Sequence, residues 1–207
     1  MRLASALYTD FHPFHVIPTF TTTDVISKVE DVKAGDCLIV WGGADIHPSF
    51  YGKGRSQHSY ASHMPSKRDI LEWEMMKRCV ELGNPIIGVC RGAQMLCALA
   101  GGILAQHVEG HGGMHIVRTH DGQEFNVNSV HHQMMFPVNT EHNLVAWCKE
   151  KRSKVYHDDV GTLQIEVEPE FIHFPKVKGF AIQWHPEAID DNHPSAKYIN
   201  TYIKEHL

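Results

Sequence analysis

Residues 83–102 read GNPIIGVCRGAQMLCALAGG. The apolar run PIIGV has strand length, and RGAQMLCALA follows it at once, a segment of strong helix formers closed by Gly101-Gly102. Cys90 stands at the junction, with Gly88 and Gly92 two residues away on either side. G-x-C-x-G at a strand-to-helix turn is the thiol counterpart of the serine elbow. The turn lifts the sulfur out of the sheet, the helix N-terminus favours a thiolate, and the next backbone N–H points at a developing oxyanion. Taken alone, the stretch fits a small buried cysteine between two packing glycines equally well, since free Cys is among the most buried residue types.

Working outward, RLASALY (2–8) and DCLIVW (36–41) are runs of strand length. Between them TTTDVISKVEDVKAGD (21–36) sets Val25, Val29 and Val32 near helical spacing behind a Thr or Asp cap, which predicts a connecting helix. SKRDILEWEMMKRCVEL (66–82) sets Ile70, Leu71, Trp73, Met76, Cys79 and Val80 in a helical pattern that Gly83 is placed to end. Alternating strands and helices imply a parallel sheet covered on both faces. The second half changes character: strands are predicted over 114–120, 124–130, 143–150, 162–169 and 179–184, and a terminal helix over 193–207. An α/β core with added antiparallel strands results, read as one domain over residues 1–207, with the loop 49–64 the segment expected to move most.

Composition narrows the function classes. An apolar fraction of 43% and a charged fraction of 21% suit a globular chain, and no run approaches the ~18 apolar residues of a membrane span. The N-terminus has no long apolar h-region, so export is not expected. A formal charge of −5 without a basic run disfavours nucleic acid as a partner. Five cysteines with no C-x-x-C pair indicate neither a disulfide framework nor a zinc ribbon, and a reducing, cytoplasmic setting is expected. HVEGHGGMH (107–115) spaces His107, His111 and His115 four residues apart, but three glycines oppose a helix there. The expectation is a flexible loop near the pocket, with no metal assigned.

A cysteine nucleophile needs a base, and the base an orienting group. FAIQWHPE (180–187) is an apolar strand ending in His185, Pro186 and Glu187. Residues two apart in extended chain share a face, so Glu187 can hold one imidazole nitrogen while the other faces Cys90. In IVWGGADIHP (39–48), a strand runs into Gly42-Gly43, whose uncovered backbone amides suit the second half of an oxyanion hole beside the Arg91 amide. NSVHHQ (128–133) is a polar cluster read either as substrate recognition or as a solvated turn.

GVCRGAQ, SVHHQ and QWHPE, preceded by WGGADIHPSFYG and KRDILEWE in that order, resemble the class I glutamine amidotransferases. Within that superfamily they are most similar to the γ-glutamyl hydrolase branch (peptidase C26), which includes γ-glutamyl-γ-aminobutyrate hydrolases. The resemblance runs from about Cys37 to the end of the chain. It implies a flavodoxin-like three-layer α/β/α sandwich with a mostly parallel central sheet. It also implies Cys90 as nucleophile, His185 as general base and acid, Glu187 as its orienter, and the Gly43 and Arg91 amides as oxyanion hole. Gln94, Ser129 and His131 fall at positions that line the glutamyl pocket in relatives. No cofactor is implied. Two features depart from the family: only residues 9–18 separate the first apolar run from the next segment, and the family's D-G-x-x-E-A segment is only loosely echoed by DDVGTLQIEVE.

Three functions are open on this reading. The first is a hydrolase that cuts a small-molecule γ-glutamyl amide through a thioester on Cys90. The second is a glutaminase subunit that supplies ammonia from glutamine to a separate synthetase partner, and either of these is compatible with a homo-oligomer. The third is a degenerate binding module, which an intact Cys, His and Glu set argues against. Asp69 and Glu72 line the site entrance or form a solvated helix face, with the surface reading preferred for Glu72. Cys97 and Trp184 are expected to be packing.

Overall fold

The Cys90 stretch forms the centre of a mixed sheet. The computed structural model describes residues 1–6 and 22–207, and its nine-stranded sheet has the order β2-β1-β3-β4-β11-β10-β9-β6-β7. In chain order these strands are β1 (Arg2–Ala6), β2 (Thr22–Ile26), β3 (Asp36–Val40), β4 (Ile86–Val89), β6 (Gly112–Thr119), β7 (Glu124–Val130), β9 (Asn143–Cys148), β10 (Pro169–Phe174) and β11 (Gly179–Ile182). β5 (Ile103–Ala105) and β8 (Met134–Phe136) form a separate antiparallel pair. From β2 through β1, β3 and β4 to β11 every pairing is parallel, and from β11 to β7 every pairing is antiparallel.

The inner parallel strands β3, β4 and β11 are buried on both faces, as strands covered by helices must be, while Val25 on the edge strand β2 is exposed. α1 (Lys67–Leu82) and α2 (Arg91–Leu99) cover one face, where Met76, Cys79, Met95 and Leu96 pack against Leu38, Val40, Ile86 and Ala181. α3 (Pro194–His206) covers the other, where Ile199, Tyr202 and Ile203 meet Leu3, Ile39, Ile87 and Phe180. Each large side chain so buried contributes roughly 1.5–3 kcal/mol. The result is the expected three-layer α/β/α sandwich with an antiparallel extension.

Most predicted elements form close to their expected bounds, and α1 is closed as its sequence suggests. Ser66 and Asp69 make a reciprocal capping box at its start, and Gly83 ends it at φ +68°. Two expectations are corrected. The helix predicted over 21–36 is instead β2 followed by a short 3-10 turn at Val29–Asp31; β-branched TTDVI prefers the strand, and its parallel pairing with β1 overrides the helical spacing of three valines. The strand predicted over 162–169 is a turn with one bridge, and the strand begins at Pro169 instead. PEFIHF is buried along its whole length between β9 and β11, so it lacks the alternation that marks a half-exposed strand. Positions 7 and 8 of the first predicted strand and the connection over 9–18 lie outside the described residues.

Candidate active site

β4 and β11 are parallel neighbours in register, Val89 opposite Ile182. The ladder continues one step further, the Cys90 N–H donating to the Ile182 carbonyl at 2.7 Å. Two segments far apart in sequence therefore end together, one in the thiol and the other, three residues beyond Ile182, in His185. Cys90 sits at φ +51°, ψ −108°, a conformation L-residues rarely adopt, and caps α2 without a side-chain hydrogen bond. The turn is this tight because its two glycines admit it. A Cβ on Gly92 would run into the Val40 carbonyl, and one on Gly88 into the Gly92 backbone.

His185 Nδ1 lies 2.6 Å from Glu187 Oε1. Its Nε2 is buried and makes no hydrogen bond of ordinary geometry, and Cys90 acts on the ring together with Glu187. Burial disfavours the imidazolium, but Cys90 and Glu187 together outweigh it and push the His185 pKa up to about 10. Gly42 closes the gap from the β3 side: a Cβ there would stand 2.7 Å from His185 Cε1 and 3.5 Å from Cys90 Cβ. The backbone around His185 is fixed by Asn128 on β7, whose side chain accepts from the His185 N–H and donates to the His185 carbonyl, both at 2.9 Å.

A buried ion cluster holds the β3 turn to the start of α2. The Arg91 guanidinium, with a side chain 3% exposed, bonds Asp69 and Glu72. Glu72 also accepts from Arg68 Nε at 2.8 Å, and Arg68 Nη2 donates to the Gly42 carbonyl at 3.0 Å. This corrects the surface reading of Glu72, which is 1% exposed, and settles Asp69 as buried. The helix is rotated from its apolar pattern to suit the cluster: Asp69 and Glu72 face inward with Met76 and Cys79, while Ile70 and Val80 face solvent. Among the described residues, neither the Gly43 nor the Arg91 backbone N–H donates to a protein acceptor.

The other site candidates are placed differently. Gln94, on the first turn of α2, is buried and donates to the Gln133 carbonyl at 3.0 Å. Ser129 Oγ donates to the His111 carbonyl at 2.6 Å, and His131 Nδ1 bonds the Gln133 carbonyl at 2.9 Å. None of the three side chains hydrogen-bonds Cys90, His185 or Glu187, although the Gln94 backbone N–H donates to the Cys90 carbonyl at 3.1 Å. Sequence reading placed Asn128 only within the 128–133 polar cluster and missed its hold on His185, although alternation along β7 puts Asn128 on the opposite face from Ser129. Arg68 and the inward face of Asp69 and Glu72 were also hidden, because a charged helix face ordinarily faces water. Cys97 and Trp184 pack as expected: Cys97 is fully buried with its pKa pushed up to about 12 by desolvation, and Trp184 is 1% exposed against Phe171. The segment around His111 is no helix, as its glycines require, but it is not wholly a loop either. β6 starts at Gly112, and His115 points inward from it.

Known proteins share this architecture. A candidate glutamine amidotransferase of Schizosaccharomyces pombe is 27% identical over 177 residues, which span 81% of this chain and 68% of the yeast protein. The glutamine amidotransferase-like protein YvdE of Lactococcus lactis is 27% identical over 188 residues, spanning 78% of this chain and 72% of its own length. Among solved structures, a candidate GMP synthase component of Thermoplasma acidophilum superposes over 100% of this chain and 93% of its own, with TM-score 0.66 and 14% identity. PurLQS of Thermotoga maritima superposes over 100% and 98%, with TM-score 0.64 and 15% identity. These two likenesses establish a shared fold. The sequence model of peptidase C26 matches residues 13–187, across the thiol turn, the Asn128 strand and the His185-Glu187 end of β11, and on that match the chain belongs to the peptidase C26 family of glutamine amidotransferase-like proteins.

Proposed function

We propose that the chain is a cysteine-dependent hydrolase that cleaves a γ-glutamyl amide through a γ-glutamyl thioester on Cys90. The observation that carries this reading is the convergence of a left-handed cysteine at the end of β4 with a carboxylate-held histidine at the end of β11. Cys90 Sγ attacks the γ-carbonyl carbon, and the carbonyl π electrons move onto oxygen. The uncommitted Gly43 and Arg91 amides stabilise that oxyanion in a water-poor site. The intermediate collapses by breaking the C–N bond, and the amine leaves with the proton carried on His185. His185 then takes a proton from water, hydroxide adds to the thioester, and free glutamate and the Cys90 thiolate result. Glu187 stabilises the imidazolium and fixes its tautomer.

Gln94, Ser129 and His131 serve the glutamyl group in this scheme by shaping its pocket, the side chain of each being held by a backbone carbonyl. All five cysteines are free, which supports a reducing compartment, and no described helix is long and apolar enough to cross a membrane. The alternative, a glutaminase subunit feeding ammonia to a separate synthetase, is favoured by the amidotransferase names of the relatives. A panel of γ-glutamyl amides and free glutamine, assayed with purified protein and with Cys90→Ala, separates the two. Cleavage of γ-glutamyl amides by the protein alone supports the hydrolase. Preference for glutamine with stimulation by a synthetase supports the alternative.

A further inference from the structure

A second cluster of ligating side chains lies outside the thiol site, in the antiparallel half of the sheet. One donor atom from each of His111, His115, Cys148 and Glu170 lies within 4.8 Å of all the others, and all four residues are buried. They come from the approach to β6, from β6 itself, from the end of β9 and from β10. Glu170 reaches the cluster through a β-bulge: Pro169 pairs with Trp147 and Phe171 with Ala146, which leaves Glu170 without a partner on β9.

The contacts converge on one carboxylate oxygen, with one hydrogen bond of ordinary geometry among them, from Cys148. His115 Nε2 is 3.2 Å from Glu170 Oε1, Cys148 Sγ 3.3 Å, and His111 Nδ1 3.5 Å from the same oxygen. No ring nitrogen of His111 or His115 makes a hydrogen bond of ordinary geometry, and Glu170 Oε2 is also unpartnered, although these residues are at most 5% exposed. Native proteins satisfy nearly all such groups, so several orphans aimed at one point need a cause. A tetrahedral zinc, with N and O ligands at about 2.0–2.2 Å and a thiolate at about 2.3 Å, spaces its donor atoms about 3.3–3.6 Å apart. The three separations that end on Glu170 Oε1 match those edges, and the remaining donor pairs lie within 4.8 Å.

The surroundings fit as well. His111 Nε2 is 3.4 Å from Glu168 Oε2, the carboxylate–histidine arrangement that orients a metal-bound imidazole and leaves Nδ1 free to ligate. Glu168 is itself held by the Arg152 and Ser153 N–H groups and by the Tyr156 hydroxyl. His131 Nε2 stands 3.5 Å from Glu170 Oε1, as a further nitrogen facing the cage.

We propose that His111, His115, Cys148 and Glu170 bind one divalent cation of the zinc type, a closed structural site that ties β6, β9 and β10 together. A mixed N, S and O donor set selects zinc over magnesium or calcium, which take oxygen ligands. This departs from the sequence expectation of no metal, which rested on helical spacing; the ligands instead come from three strands and a bulge.

The test is zinc titration of the chelator-stripped, reduced full-length protein, together with cobalt substitution. One equivalent of zinc should bind with a rise in melting temperature. Cobalt should give the visible bands of a tetrahedral ion and a thiolate charge-transfer band that Cys148→Ser removes. Cys90→Ala should keep the stoichiometry. Absence of saturable binding by the wild-type protein overturns the proposal, whether or not the variants fold. Loss of binding in Cys90→Ala, or a cobalt spectrum unchanged in Cys148→Ser, overturns it too by locating the metal elsewhere.

Discussion

His185 Nδ1 is held 2.6 Å from Glu187 Oε1, while Nε2 is buried without a hydrogen bond. The pair divides the imidazole into an anchored nitrogen and a working one. Glu187→Gln keeps the shape but removes the charge that favours the imidazolium and its tautomer. A fall in kcat of about 10²–10⁴ with little change in KM is expected, by analogy with triads whose carboxylate is neutralised. Steady-state kinetics on a γ-glutamyl amide measure it.

His185, with Cys90 and Glu187 acting on it, sets a pH dependence of stability. The His185 pKa is raised from 6.5 in the unfolded chain to about 10 in the folded protein, so the folded state holds the proton more tightly. The resulting stabilisation is complete below about pH 6.5 and is lost as pH rises through about 10. Denaturant midpoints measured across that window should fall with pH in the wild type and fall less steeply in Glu187→Gln, where Cys90 still raises the His185 pKa. A wild-type profile that rises over the window contradicts the assignment.

Asn128→Ala removes both hydrogen bonds that fix the His185 backbone. An unsatisfied buried group costs about 1–3 kcal/mol, which in transition-state terms is roughly a tenfold to hundredfold loss in kcat. Asn128→Asp retains an acceptor for the His185 N–H but no donor for its carbonyl, and should recover part of the loss.

Glu72→Ala leaves Arg91 and Arg68 with less compensation in a nearly dry cluster. Removing one partner of a buried ion pair typically costs about 3–5 kcal/mol. Urea unfolding should report a loss of that order, together with reduced activity, because Arg68 also braces the Gly42 carbonyl.

Gly92→Ala should abolish the fold or the thiol's reactivity, because its Cβ meets backbone at Val40, which cannot give way as a side-chain tip would. Gly161→Ala, with nothing within 4 Å, is the matched control and should stay within about 0.5 kcal/mol of wild type. Circular dichroism and thiol labelling with iodoacetamide compare the two.

What the sequence disclosed and what it hid divide along physical lines. Cys90 between Gly88 and Gly92 was legible because a strand-to-helix turn needs small residues at those offsets. The pairing of His185 with Glu187 was legible, but its geometry was not: Glu187 reaches the imidazole from a 3-10 turn at Pro186–Ala188 and not from the extended chain that was expected. The β2 segment misled because three valines fit a helix as well as a strand, and pairing with β1 decides between them. β10 was obscured because a strand buried on both faces has no alternation. Glu72 was read as surface because the partner that draws it inward, Arg91, lies 19 positions away and belongs to another helix. Glu170 could be found only in three dimensions, since a bulge in β10 aims its carboxylate.

The central claim is that Cys90 carries the γ-glutamyl group. Intact-protein and peptide mass spectrometry on rapidly acid-quenched turnover of a γ-glutamyl amide tests it most directly. The account predicts an adduct of one γ-glutamyl group on the peptide containing Cys90, absent in Cys90→Ala, which should also be inactive. An adduct on another residue, or undiminished turnover by Cys90→Ala, would contradict it.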